Sequence, residues 1–409
     1  MTNYLKVASM DDANRGRADV RRSLAWTAAI IVTATFGARS SNSVIPSYGQ
    51  LIGREFNFSA TELGLMAVSF MLSSFVASAL INARLHPRAR RKYFIASALA
   101  YSLIYPAFYL VTPVLIWPLM IAAGLALGPI MPNLMTSAGS VEDPGARERL
   151  LALYTLTLSV SLLVAQTLAA LVIRAVSVRE GFLLLEPLAA LVGASAPLLP
   201  FPSEPSRVSP GAHAQVRPSS VLTNEGFIAS VLNNLTYQVP FSYLTAFAAV
   251  YAVDELGAKG WLGVLAYAPF YTTSLGSRLM MTIRPPKDIV KYMVAAAALS
   301  LIGLTVAWDS RSLTDFYIAM TILGIPHGMT YTLSVLAISR TFRREELNAA
   351  NSYFFSVMMI IGSVLPALLG WVADRVGYRE TFLLITPAVA VILALTLYFA
   401  VRARYLRGL

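Results

Sequence analysis

The chain has 409 residues, 56% of them apolar and only 13% charged, with no cysteine and a formal net charge of +11. A soluble domain carries about twice that share of charge, so there is too little polar surface here to cover the apolar volume in water. The same hydrophobicity excludes a disordered chain, and the lack of cysteine removes disulfides, thiolate metal sites and cysteine nucleophiles.

Apolar stretches of roughly 20 residues, the length that crosses a bilayer, recur from end to end. Twelve spans are predicted, at 24–50, 60–81, 94–111, 114–138, 150–173, 181–201, 227–250, 262–283, 289–308, 316–339, 348–373 and 381–401. Only helices suit stretches of this length, because open strands leave backbone groups unpaired in lipid and barrel strands are far shorter. The expected fold is an all-α membrane protein with twelve transmembrane helices.

Lysine and arginine set its orientation. With the N-terminus inside, the inner segments hold 23 basic residues and the outer loops hold seven. Both termini are therefore expected to be cytoplasmic, and the net charge is accounted for without nucleic acid. Residues 1–23 hold five basic residues and read as a cytoplasmic segment, with no secretory signal expected. Residues 24–201 form a first six-helix half. Residues 202–220, rich in Pro, Ser and Gly, form a cytoplasmic linker. A second half at 221–401 and a cytoplasmic tail at 402–409 complete the chain.

The halves read as copies. REGFLLLEPLAA at 179–190 matches RETFLLITPAVA at 379–390 in seven places at a constant offset of 200, and Gly124 and Gly128 match Gly324 and Gly328 at that offset. Pro46 and Tyr48 roughly echo Pro240 and Tyr243. Matches in one orientation predict a parallel repeat about an axis along the membrane normal. The paired glycines read as close helix packing rather than as a ligand site.

Twelve spans in two halves with a cytoplasmic linker resemble the major facilitator superfamily. The most specific piece is GWVADRVGYRETF at 370–382, similar to the Gly-x-x-x-Asp-x-x-Gly-Tyr-Arg pattern that many members carry after span eleven. The stretch from Phe36 to Met66 looks like the monocarboxylate porter and oxalate–formate antiporter branch. The resemblance implies a gate or loop motif in which Asp374 and Arg379 match the second-half pattern. Arg90 and Arg91 keep the basic end of the first-half pattern, whose Gly and Asp are lost. The Gly-Pro signature of drug–proton antiporters is absent from span five.

A charge at the bilayer centre costs about 2.5–3.5 kcal/mol even on the lenient insertion scale, so each one needs a reason. Away from the span mouths, Arg39 and Arg278 are the only bases and Glu186 the only acid. Arg39 sits 15 residues after Leu24, about 22 Å along the helix. It reads as a bidentate clamp for a carboxylate or as a structural strut. Arg278 shares a helix face with Tyr267, Tyr271 and Ser274. The resembled branch implies a substrate-binding Arg there; the alternative is snorkelling to the inner surface. Glu186 and His327 are the candidates for proton coupling, against a Glu that reaches outer water and an interior His held by neighbours. Asn133, Asn234, Tyr237, Gln238, Tyr271, His327, Tyr331 and Asn351 are the further candidate substrate contacts, weighed against interhelical hydrogen bonding.

No phosphate-binding loop, metal-ligand cluster or nucleophile triad is legible, so no enzyme, cofactor or metal site is expected. The expected function is a secondary transporter, moving a small monocarboxylate-like anion across the cell membrane by rocking-type alternating access, as a monomer and as a symporter if protons are coupled. A drug or neutral-solute transporter is the first alternative, and a non-transporting membrane receptor or scaffold the second.

Overall fold

The computed structural model describes residues 2–141, 143–201 and 218–403. Most of the expected linker and of the C-terminal tail lies outside the described residues. Among the described residues every regular element is helical. The first group comprises α1 (Thr2–Glu55), α2 (Ala60–Phe75), α3 (Pro87–Ala107), α4 (Ile116–Leu127), α5 (Ile130–Gly139), α6 (Pro144–Ala175), α7 (Val178–Leu184) and α8 (Glu186–Ser195). After a short α9 (Pro218–Leu222), the second group comprises α10 (Glu225–Asp254), α11 (Gly260–Leu265), α12 (Tyr267–Ile283), α13 (Ile289–Asp309), α14 (Leu313–Thr341), α15 (Arg344–Val376) and α16 (Tyr378–Arg402).

Nine helical stretches among the described residues are long and apolar enough to cross a bilayer, from Ala60–Arg84 to Tyr378–Arg402. The other long helices, α1, α10 and α12, carry Arg39, a cluster of amides and Arg278. Three of the predicted continuous spans are broken. Gly128 and Pro129 separate α4 from α5, Leu185 separates α7 from α8 just ahead of Pro187, and Ala266 separates α11 from α12 ahead of Pro269. Proline lacks an N–H and clashes with the preceding turn, and one stands at or just after each break. A π-helical turn at Val76–Ile81 and a 3-10 turn at Asn82–Arg84 prolong α2.

The paired glycines are helix crossings. Gly124 lies against the Phe70 carbonyl and Ser73, and Gly128 against the Ser74 carbonyl, so α4 meets α2 backbone to backbone. Gly324 lies against the Phe270 carbonyl and Thr273, and Gly328 against the Ser274 carbonyl, so α14 meets α12 in the same way. Any Cβ at these positions would strike main-chain atoms, which is why small residues recur at such crossings. Every partner in the two crossings is related by the offset of 200. The aromatic packing repeats too: Tyr48 meets Phe182 edge-on at 5.2 Å, and Tyr243 meets Phe382 edge-on at 4.9 Å.

Candidate functional site

The two helix groups are fastened to each other at one end of the bundle, the end that carries the α1–α2, α10–α11 and α15–α16 connections. Gly64 lies against the Pro366 carbonyl and Gly370 against the Ala60 carbonyl, so α2 and α15 run along each other with backbones in contact. That approach brings Asp374 onto the N-terminus of α2. Its carboxylate accepts from Ala60 N at 2.6 Å, Thr61 N at 2.9 Å and Thr61 Oγ1. Free N–H groups and the positive end of a helix dipole are the natural seat of a carboxylate. The Gly-x-x-x-Asp part of the sequence motif thus has a physical role: the glycine admits α15 and the aspartate caps α2. Arg54 pairs with Asp254, and the Arg174 guanidinium lies over the Trp261 ring, 5.2 Å from its centroid.

Gln50 makes the most specific of these fastenings. Its Nε2 donates to the Thr245 carbonyl at 2.6 Å, and its Oε1 accepts from Ala249 N at 2.9 Å. Those two backbone groups are partners in an uninterrupted α-helix, so a side chain of α1 is threaded into the ladder of α10. Gln50 Nε2 also reaches the Tyr267 hydroxyl at 3.2 Å.

Beneath this seal lies a cavity of about 210 Å³ bounded by both helix groups. Arg39, Asn42, Ser43 and Gln50 reach it from α1, and Gln166 reaches it from α6. Gln238 and Phe241 on α10 and Tyr271 on α12 form the facing wall. Arg39 is half-buried and has no hydrogen-bond or ion-pair partner among the described residues. Arg278 lies beside the cavity rather than in its lining. It donates to Ser159 Oγ at 2.7 Å, which links α12 to α6. The two guanidinium groups are within electrostatic reach of each other and of His327.

His327 sits one layer behind the wall. Its Nδ1 pairs with Ser274 Oγ at 2.6 Å, and its ring stacks on Phe241 with centroids 4.7 Å apart. Tyr237, Phe270 and Tyr271 complete the ring contacts around it, at 5.3, 5.1 and 5.9 Å. Tyr237 is buried and its hydroxyl has no partner among the described residues. Tyr331 is 41% exposed and within electrostatic reach of Arg278.

Of the sequence-predicted contacts, Arg39, Gln238 and Tyr271 line the cavity, while Arg278, His327, Tyr237 and Tyr331 form the adjoining layer. Others are committed elsewhere. Asn133 Nδ2 donates to Asn82 Oδ1 at 2.9 Å and to the Pro129 carbonyl at 2.7 Å, tying α5 to the turn after α2. Asn234 Nδ2 points at Met358 Sδ, 2.8 Å away on α15. Asn351 is half-buried on α15 and Glu186 half-buried at the first turn of α8, neither in the cavity lining. Arg90 donates to the Leu85 carbonyl, Arg91 to that of Pro197 and Arg379 to that of Ser310. Sequence reasoning passed over Asn42, Gln50, Gln166 and the apolar wall, because uncharged residues in a span raise no alarm.

Two packed groups of bilayer-length helices, sealed at one end over a cavity lined by a guanidinium, have the build of a membrane carrier. The family model described as Major Facilitator Superfamily matches residues 26–308 and 288–408, and the chain belongs to that family. It is a transporter and a multi-pass membrane protein. No curated protein matches the chain. Among solved structures it is similar to a bacterial homolog of the human lysosomal transporter Spinster, inward-facing and occupied. That likeness has 13% identity, covers 94% of this chain and 96% of the other, and has a TM-score of 0.64. The nucleoside transporter NupG shares 12% identity over 91% of this chain and 98% of its own, with a TM-score of 0.66. The peptide transporter POT, solved with sulfate, shares 12% identity over 93% and 96%, with a TM-score of 0.71.

Proposed function

We propose that the chain is a secondary transporter of a small organic anion, with twelve membrane crossings, both termini cytoplasmic and a place in the cell membrane. The crossings beyond the nine apolar stretches are α1, α10 and the α11–α12 pair, and the lysine and arginine asymmetry supports the orientation. In that orientation the end fastened by Gln50, Arg54 and Asp374 is the outer one, and the structure is an inward-facing state.

One observation carries the anion reading: the Arg39 guanidinium lines the cavity and has no partner among the described residues. An ion in an apolar bundle is retained where something compensates it. Arg278 adds a second cation within electrostatic reach. Like charges held together in a medium of low dielectric repel strongly, and one visiting carboxylate offsets that repulsion. Closure around the site is then favoured with cargo and opposed without it, which is the differential that alternating access needs. His327 lies within electrostatic reach of both arginines and is our candidate for proton coupling; Glu186 lies outside this layer.

Counterflow in proteoliposomes tests the reading, with labelled monocarboxylates ranging from lactate to phenylacetate. Arg39→Gln and Arg278→Gln should each slow exchange on the order of tenfold or more, the scale of a lost charge-assisted hydrogen bond. Full exchange in both variants would eliminate the anion site and favour a neutral solute held by Asn42, Gln166 and Gln238. An inward proton gradient should accelerate uptake by the parent protein and leave His327→Gln unaffected if His327 carries the proton.

A further inference from the structure

We propose that the cargo is an amphipathic monoanion whose apolar body is about one aromatic ring in size, read by a methionine-lined part of the cavity that Arg39 also lines. The proposal rests on the organic-anion reading above and narrows it. The cavity is two-faced. Arg39, Asn42, Ser43 and Gln50 fall at helical spacing on one side of α1 and supply its polar stripe. Arg39 is the one charged side chain in the lining, so the stripe is matched to a single negative charge.

The part of the lining that comes from α2 and α4 is apolar: Met66, Phe70, Met71 and Met120. The thioether ends of Met66 and Met120, both 3% exposed, pack against α1. Met120 Cε and Met66 Cε converge on Gly49, 3.1 and 3.5 Å from where a Cβ would stand. Met71 Cε reaches across to Gly362 on α15, 3.5 Å from the corresponding point, beside the Gln238 amide at 3.3 Å. The glycines leave the room that these methyl groups use.

Methionine is unbranched and polarizable, and its sulfur favours contact with aromatic rings, so a wall of three reshapes around differing apolar bodies. Size follows from volume. An apolar cavity of about 150 Å³ accommodates benzene, and the 210 Å³ here leaves space for a carboxylate-bearing arm as well. A small hydroxy acid fills only the polar side and leaves the Met71 thioether, 36% exposed, without an apolar partner.

Equilibrium binding of three probes to the purified full chain in lipid nanodiscs tests this. Phenylacetate has both features, lactate has the charge without the apolar body, and phenylacetamide has the body without the charge. Phenylacetate should bind at least about tenfold more tightly than either of the others. Met71→Ser should shrink the phenylacetate-to-lactate ratio severalfold and keep the phenylacetate-to-phenylacetamide ratio, with Met71→Leu restoring the first. Arg39→Gln should collapse the second ratio alone. Elution as a single sharp peak in size exclusion qualifies each variant.

Lactate binding as tightly as phenylacetate would overturn the apolar-body proposal and leave the anion reading standing. Phenylacetamide binding as tightly as phenylacetate would overturn the anion reading and this proposal with it. Unchanged ratios in a well-folded Met71→Ser would remove the wall from the account, and failure of all three probes to bind would overturn the proposal outright.

Discussion

Arg54 is paired with Asp254, its counterpart at the offset of 200 that relates the two halves of the sequence. The pair straddles the junction of the helix groups, so one repeat holds the other at equivalent places. Its side chains are 48% and 33% exposed, and ion pairs so open to solvent contribute about 0–1 kcal/mol. The expected effect of breaking it is accordingly small. The chain has no cysteine, so a single Ser47→Cys in the cavity reports access through the sealed end. Labelling by an impermeant maleimide added on that side should rise no more than about fivefold in Arg54→Ala. The double exchange Arg54→Asp with Asp254→Arg should return it to the parent rate.

Asp374 should matter more. Its carboxylate takes up two backbone N–H groups and a hydroxyl at the start of α2, and removal of a helix cap costs about 0.5–2 kcal/mol. Loss of the charge at the helix end adds a further few tenths. Asp374→Ala should therefore raise labelling of Ser47→Cys above the level of Arg54→Ala, with Asp374→Asn in between because its amide still accepts. Equal labelling in the alanine and asparagine variants would show that the cap does not hold the seam.

Much of this architecture is legible in the residues themselves, and physical cost explains which part. A glycine at a helix crossing and an arginine in an apolar span are both expensive to leave unexplained. Gly124, Gly128, Gly324 and Gly328 therefore mark the crossings, and Arg39 marks the cavity, without any coordinates. Amides carry no such signal, because an asparagine in a span is as content with another helix as with a ligand. Asn133 reads as a cavity contact from its position in span four, yet it faces Asn82 and the Pro129 carbonyl. Which way it points depends on the phase of α5, and the break at Gly128 and Pro129 resets that phase. Gln50 gives no signal because a glutamine near a span mouth looks like a residue on its way to water. Met66, Met71 and Met120 are indistinguishable in sequence from side chains that face lipid.

Gln50 also separates two sources of stability. In Gln50→Leu, the Thr245 carbonyl and Ala249 N–H still have each other as α-helical partners. Helix α10 should therefore keep its integrity while the link to α1 is lost. The thermal midpoint should move little, and labelling of Ser47→Cys from the sealed end should rise by roughly tenfold, the scale of one or two well-formed hydrogen bonds. A midpoint that falls steeply with labelling unchanged would make Gln50 a strut of α10 and not a fastening between groups.

Asn133 and Arg39 should separate along the opposite line. Asn133 is 1% exposed and its Nδ2 is engaged with Asn82 and Pro129, so Asn133→Ala strands the Asn82 oxygen in the interior. An unpaired buried acceptor costs about 1–3 kcal/mol, and the thermal midpoint should drop. Exchange by the protein that remains folded should retain the parent affinity for its anion. Arg39 has no partner to lose among the described residues, so Arg39→Gln should keep the parent midpoint or raise it, since it removes an uncompensated ion, while anion exchange falls. A midpoint measured in detergent beside exchange measured in proteoliposomes distinguishes the two. Loss of stability in Arg39→Gln with unchanged exchange would make Arg39 the strut and leave the cavity without its charge.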